Sequence, residues 1–204
     1  MQFNLIGPGR VGLALADALI HTGQYTLNAV YHPKLQRAKK ATTLLNQGTA
    51  YDTLDTLPHA DITFITTQDN LIASIVDALH HANRLKPHSL IAHMSGIIGS
   101  DILMPLKTQH ILIGSLHPLK AFAQKERPEA HAFQNIDCAV EGEPTAVTQL
   151  TNIAHTLGAS VFLFSPTKKQ VIMQRLSWLP IIWSPLRLRQ AIYLNKLGFL
   201  KQTH

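Results

Sequence analysis

Phe3-Asn4-Leu5-Ile6-Gly7-Pro8-Gly9-Arg10-Val11-Gly12 is the stretch on which the reading of this chain turns. A short apolar run enters a G-x-G-x-x-G turn, and an Ala/Leu-rich helical pattern from Val11 to Ile20 leaves it. Each glycine has a separate task in such a turn. Gly7 permits the tight bend, Gly9 lets main chain approach a diphosphate, and Gly12 lets helix pack closely on strand. The amides at the helix start, with the positive end of its dipole, then face that diphosphate. Gly7, Pro8, Gly9, Arg10, Val11 and Gly12 are therefore the candidate nucleotide-binding set. The alternative, a glycine-rich turn in some other α/β protein, is weakened by the strand before it and the helix after it.

Outward from the turn, short β-rich runs alternate with helical ones to about residue 165, as a parallel sheet with crossover helices requires. Strands are predicted at 2–6, 26–31, 62–66, 89–93, 111–116, 136–141 and 160–164, with a weak one at 49–51. Helices are predicted at 10–22, 34–46, 70–82, 101–108 and 144–157. Gly23 and Gly158 supply stops for the first and last of them. Residues 117–135, with two prolines and mixed charge, read as a functional or covering loop.

The 204 residues suffice for one complete α/β domain and little more. A composition 46% hydrophobic and 15% charged argues against a disordered chain. Cys138 is the only cysteine, which excludes a disulfide framework and a cysteine-based metal site. The opening MQFNLIG has no basic leader before the first strand, and no apolar run is long enough to span a bilayer. A cytoplasmic location is expected. The formal charge of +6 belongs to the tail: residues 168–204 hold seven Lys/Arg and no Asp/Glu, against eleven basic and twelve acidic groups in 1–167. The folded part has no basic surplus, so neither nucleic acid nor membrane is an expected partner.

The second strand should end beside an adenosine ribose, where an NAD site places Asp or Glu. No acid occurs between Asp17 and Asp52. The chain instead reads His32-Pro33-Lys34-Leu35-Gln36-Arg37-Ala38-Lys39-Lys40. His32 and Arg37 become candidate contacts to a ribose 2′-phosphate, Arg37 as the fork-shaped donor, which favours NADP over NAD. The bland alternative is that Lys34, Lys39 and Lys40 are only the solvated face of a helix.

Three later strand ends open into the same crevice. Thr66-Thr67-Gln68-Asp69-Asn70 offers Thr66, Thr67 and Asp69 as cofactor contacts, with Thr67 and Asp69 alternatively capping the next helix. Ala92-His93-Met94-Ser95-Gly96 offers Ser95 and Gly96 as substrate contacts, Gly96 by permitting close approach. Ser115-Leu116-His117-Pro118-Leu119-Lys120 adds His117. Two histidines leaving adjacent strands can act as acid, base or carboxylate anchor near neutral pH. Ser95 and His117 are the candidates for substrate polarisation or proton transfer, with His93 supporting the loop. His93 and His117 lack companions at ligand spacing, so no metal site is expected. His59, His80, His81 and His110 read as surface residues, and Cys138 as a buried apolar one.

Together, GPGRVG, TTQDNLI, HMSGIIGSDIL, GSLHPLKAF and VEGE resemble a Rossmann-like group of NADP-binding oxidoreductases with a C-terminal helical domain of unknown function. That group is related to pyrroline-5-carboxylate reductase, deazaflavin-dependent NADP reductases and ketopantoate reductase. The resemblance covers residues 2 to about 168. It implies an α/β, doubly wound, mostly parallel sheet with flanking helices, followed by a helical domain that completes the active site and a homodimer. By analogy with related β-hydroxyacid dehydrogenases it supports Ser95 and Gly96 as substrate contacts. The group has Gln after HPL where this chain has Lys120, which leaves that position without an assigned role.

The tail departs from the group. After Ser165-Pro166-Thr167-Lys168-Lys169, the group continues with a Tyr-His-Ala-Ala helix and a later Ser-Asn. Here the chain turns basic, acquires both tryptophans, and is broken by Pro180 and Pro185. Shifting the frame of the implied codons from Val171 onward permits Tyr-His-Ala-Ala and the later Ser-Asn, with Met173-Gln174 forcing one alanine. The expected organisation is thus a dinucleotide-binding domain at 1–167 and an atypical, short irregular or helical tail at 168–204, created by a frameshift near 168–171. The nucleotide sequence tests this directly. A membrane-surface or partner-binding tail is the alternative.

The expected function is an NADP-dependent oxidoreductase acting on a small carbonyl, imine or hydroxy-acid substrate, impaired by loss of the helical domain. The alternatives are a non-catalytic NADP(H)-binding or sensing module and a non-functional, partly folded product.

Overall fold

A computed structural model describes residues 1–123 and 130–163, without the side chains of residues 108 and 109. The expectations for the tail lie outside the described residues, as does residue 164 of the last predicted strand.

The elements are β1 (Gln2–Ile6), α1 (Arg10–His21), β2 (Thr26–Tyr31), α2 (Leu35–Leu45), β3 (Thr49–Tyr51), β4 (Ile62–Ile65), α3 (Asp69–Ala82) and β5 (Leu90–His93). A 3-10 helix (Ser100–Gln109), β6 (Leu112–Pro118), β7 (Asp137–Gly142), α4 (Pro144–Thr156) and β8 (Ser160–Leu163) follow. They build one eight-stranded sheet in the order β3-β2-β1-β4-β5-β6-β7-β8. All neighbours run parallel except β6 and β7. This is the doubly wound, mostly parallel, Rossmann-like sheet expected from the alternation of strands and helices.

Residue alternation along each strand assigns the two faces. Phe3, Leu5, Phe64, Leu90, Ala92, Leu116 and Val140 share one buried cluster with Leu15 and Leu19 of α1, Ala38 of α2 and Leu150 of α4. Ile6, Ile65, Ile91 and Ile113 join Ile72 and Val76 of α3 and Leu103 and Leu106 of the 3-10 helix on the other face. Strands covered on both faces are mostly apolar, and β4, Ile-Thr-Phe-Ile, is buried at all four positions. No helix among the described residues is long and apolar enough to cross a membrane.

Two local details go beyond the sequence reading. The helix predicted at 101–108 is wound as a 3-10 helix over Ser100–Gln109, with Pro105 inside it. Proline has no N–H to give and its ring crowds the carbonyl one α-turn back, so a regular α-helix is disfavoured there. β7 is antiparallel to β6, with Ser115 opposite Glu141 and His117 opposite Ala139. No helix separates β6 from β7 among the described residues, and a strand that returns without a crossover pairs antiparallel.

At the amino edge of the sheet, Asp61 accepts from the Gln2 N–H at 2.9 Å and from Lys86 Nζ at 2.6 Å. The Lys86 hydrogen bond, then that from Gln2, holds the Asp61 carboxyl below the usual carboxylate range. A depressed folded-state pKa gives stability that is complete above the unfolded pKa and lost as pH falls through the folded one. Asp61→Asn should therefore cost up to about 1 kcal/mol at neutral pH, because the pair is part-exposed. The gap to wild type in urea midpoint should close as the pH is taken below the carboxylate range.

Candidate functional site

Strand order reverses between β1 and β4, so the chain leaves these two strands toward opposite faces and a crevice opens at their carboxyl ends. The glycine turn lines it. Gly7 sits at φ +85° and donates to Tyr31 O at 3.0 Å; Gly9 N donates back to Gly7 O at 2.7 Å. A Cβ on Gly7 would lie 2.6 Å from Thr67 Cγ2, and one on Gly12 2.2 Å from Thr66 Oγ1, so both glycines are required by the close approach of the β4 end. Gly9 is different. A Cβ there would meet no atom nearer than 3.9 Å, which leaves its outward side open to a bulky anion. Gly9 is also the N-cap of α1, with no side-chain cap bond, and the first turn holds no acid. The first helical amides thus keep their donors for an external acceptor. Pro8 and Val11 are half-buried in the turn, and Arg10 is exposed.

Thr66 is buried, and its hydroxyl donates to Gly7 O at 2.5 Å, with Ile6 O at 3.2 Å. It locks the turn to β4 from beneath. Thr66→Val should cost about 1 kcal/mol in chemical denaturation, a modest loss since Gly7 O keeps the Gly9 donor; Thr66→Ser should restore it. Thr67 Oγ1 is a buried polar atom without a hydrogen-bond partner, directly beside this turn. The capping alternative is corrected: the N-cap of α3 is Gln68, without a side-chain bond, and Asp69 is the exposed first residue of the helix.

At the end of β2, His32 Nδ1 accepts the Lys34 N–H at 2.9 Å. Burial, then the Arg37 charge, lowers the His32 pKa, so the ring is neutral near pH 7 with its hydrogen on Nε2. Lys34, Arg37, Lys39 and Lys40 are exposed around it.

His93, Ser115 and Glu141 pair in register across β5, β6 and β7, and all three are buried. His93 is fully buried with both ring nitrogens on main chain: Nδ1 accepts from Ser95 N at 3.2 Å, and Nε2 donates to Gly99 O at 3.1 Å. Ser95, also buried, turns the loop by accepting from Ile97 N at 3.2 Å and Ile98 N at 3.0 Å. His117 is half-buried and donates from Nδ1 to Met94 O at 3.0 Å. A Cβ on Gly96 would lie 2.6 Å from His117 Nε2, so the close approach that Gly96 permits is first of all that of the imidazole. The structure therefore brings Ser95, Gly96, His93 and His117 into one loop cluster on the face covered by α3 and the 3-10 helix. Lys120 donates to Ala132 O at 3.0 Å and lies over the Phe122 ring.

Sequence reasoning missed Glu141, which is 1% exposed and accepts from both the N–H and the hydroxyl of Ser100 at 2.7 Å. The available signal was an acid, Glu141, directly after the apolar run Cys138-Ala139-Val140 of the strand Asp137–Gly142. Cys138 fits the apolar reading: burial pushes its thiol up to about 12. His59, His80, His81 and His110 are exposed, as expected.

Residues 1–118 match the family model of the Rossmann-like domain. No curated protein matches the sequence. Among solved structures, a Bacteroides fragilis protein provisionally named an NADP oxidoreductase is 20% identical, with 97% of this chain and 73% of that one covered at a TM-score of 0.71. The arogenate dehydrogenase of Synechocystis is 20% identical, with 88% and 64% covered at 0.71. The prephenate dehydrogenase of Aquifex aeolicus is 15% identical, with 86% and 65% covered at 0.71. This chain thus spans a little under two thirds of the length of the latter two. At these identities the likeness is one of fold.

Proposed function

The chain belongs to the Rossmann-like domain family, and from that premise we propose that it is an NADP-dependent oxidoreductase acting on a small carbonyl, imine or hydroxy-acid substrate. One observation carries the reading. At the strand-order reversal, two glycines are filled in by β4 while the third, Gly9, keeps its outer side open above uncapped helical amides. The turn from Gly7 to Gly12 would hold the diphosphate, with Thr67, beside Gly7, and Asp69 as further cofactor contacts. His32 and Arg37 would meet the ribose 2′-phosphate, His32 through its Nε2–H. A bound nicotinamide would supply hydride transfer, and the protein the orientation and the proton.

His117 is the proton carrier in this reading. Its Nδ1–H is committed to Met94 O, so exchange falls to Nε2. Ser95 accepts from Ile97 and Ile98 and so would keep its own hydroxyl hydrogen for a substrate oxygen. His93 holds the loop.

Calorimetric or thermal-shift titration with NADPH and NADH tests the proposal: NADPH should stabilise the protein more than NADH, and indifference to both would end it. Arg37→Ala should narrow the preference for NADPH by roughly tenfold, the worth of one charge-assisted contact. A second reading, a non-catalytic NADP(H)-binding module, draws on the engagement of Ser95 and His93 with the loop's own main chain. Intact binding with no NADPH oxidation across a carbonyl and imine panel would favour it.

A further inference from the structure

The peptide unit joining Gly99 to Ser100 is gripped from both sides by buried ionisable groups. Its carbonyl accepts from His93 Nε2 at 3.1 Å, and its N–H donates to Glu141 Oε1 at 2.7 Å. The Ser100 hydroxyl donates to the other carboxylate oxygen, also at 2.7 Å. On the far side of the imidazole, Nδ1 accepts the Ser95 N–H. A carbonyl only accepts and an amide only donates, so the two ring contacts are met together only by the neutral Nε2–H tautomer.

We propose that Glu141 is a positioning residue of the candidate site: through the 99–100 peptide it holds His93 as the Nε2–H tautomer and so sets the Ser95–Ile98 turn against His117. A carboxylate at the N–H end of a peptide draws its hydrogen and enriches its carbonyl oxygen, which strengthens the bond that oxygen accepts from Nε2–H. The opposite tautomer would face donor to donor at Ser95 and lone pair to lone pair at Gly99. The consequence reaches the reacting groups. Ser95 closes its turn on Ile97 and Ile98, Gly96 abuts the His117 ring, and His117 is tied to Met94 O, so residues 94–99 move Ser95 and His117 together. Antiparallel β7 is what places the carboxylate here, since its register sets Glu141 in one row with Ser115 and His93. The positioning role rests on the oxidoreductase reading above; the tautomer does not.

Histidine-ring 15N spectra of the full chain test it, paired with NADPH titration. Wild type should show His93 as the single Nε2–H tautomer. Glu141→Gln keeps an oxygen for Ser100 N–H and an amide for its hydroxyl, and should preserve that signature with NADPH affinity within about threefold. Glu141→Ala should lose the single tautomer and lower NADPH turnover about tenfold, with NADPH affinity within about threefold. A Glu141→Ala protein with the wild-type His93 signature overturns the proposal. Where Glu141→Ala does not fold, Ser100→Ala, which deletes one bond to the carboxylate, must still shift the His93 resonances; unmoved resonances overturn it equally. Wild type that ignores NADPH while Glu141→Ala shows the tautomer change would sink the nucleotide reading and support the relay.

Discussion

Gly9→Asp should remove dinucleotide binding by about 100-fold or more while leaving the fold as stable as wild type or slightly more so. The two effects separate for a physical reason. Gly9 is an exposed N-cap with φ −82° and ψ −169°, an extended conformation open to any residue, and a side chain there meets no protein atom nearer than 3.9 Å. Aspartate is among the preferred N-caps, so its carboxylate would accept from the amides of the first turn, a gain of a few tenths of a kcal/mol over glycine. Those are the amides that a diphosphate needs, and the carboxylate also sets a like charge against it. The change that suits the helix therefore opposes the ligand. Gly9→Ala, which adds bulk without charge, should fall between. Calorimetry with NADPH, paired with a melting curve, reads both quantities; unchanged binding in a folded Gly9→Asp protein would remove the basis of the functional assignment.

How much of this was legible beforehand depends on how far the deciding contacts reach along the chain. The glycine turn is local: three glycines, the strand before and the helix after lie within twenty residues, and their spacing alone was enough to read the tight bend at Gly7 and the close packing at Gly12. Strand positions were legible because a strand covered on both faces is mostly apolar. The direction of β7 was not. It depends on the route between Pro118 and Asp137, where the sequence has no helical period to demand a crossover. The contact that Glu141 makes was not legible for the same reason, since its partner Ser100 is 41 residues away and meets it through that antiparallel pairing. His93 and His117 look alike in sequence, each near the end of a strand. Packing separates them into a fully buried histidine with both nitrogens on main chain and a half-buried one beside the loop.

Gly96→Ala should reduce turnover by about 100-fold or more with NADPH affinity within about threefold, because a misplacement of roughly 1 Å at the reacting groups is enough for such a loss. A Cβ at residue 96 would lie 2.6, 2.8 and 2.9 Å from Nε2, Cε1 and Cδ2 of His117, so it meets the ring itself. The imidazole cannot simply swing aside, since Nδ1 is tied to Met94 O and the strand carrying it is anchored by fully buried Leu116. Either the ring is expelled and that bond breaks, or the loop lifts and the Ser95 bonds to Ile97 and Ile98 stretch. Both outcomes disturb the proton carrier without touching the glycine turn, which is why binding should survive. The overpacking should cost about 1–3 kcal/mol of stability, so turnover must be compared well below the lowered melting point. NADPH oxidation with any carbonyl or imine the protein accepts provides the assay. Wild-type turnover in Gly96→Ala would mean that His117 need not sit against the loop, and its assignment as proton carrier would fall.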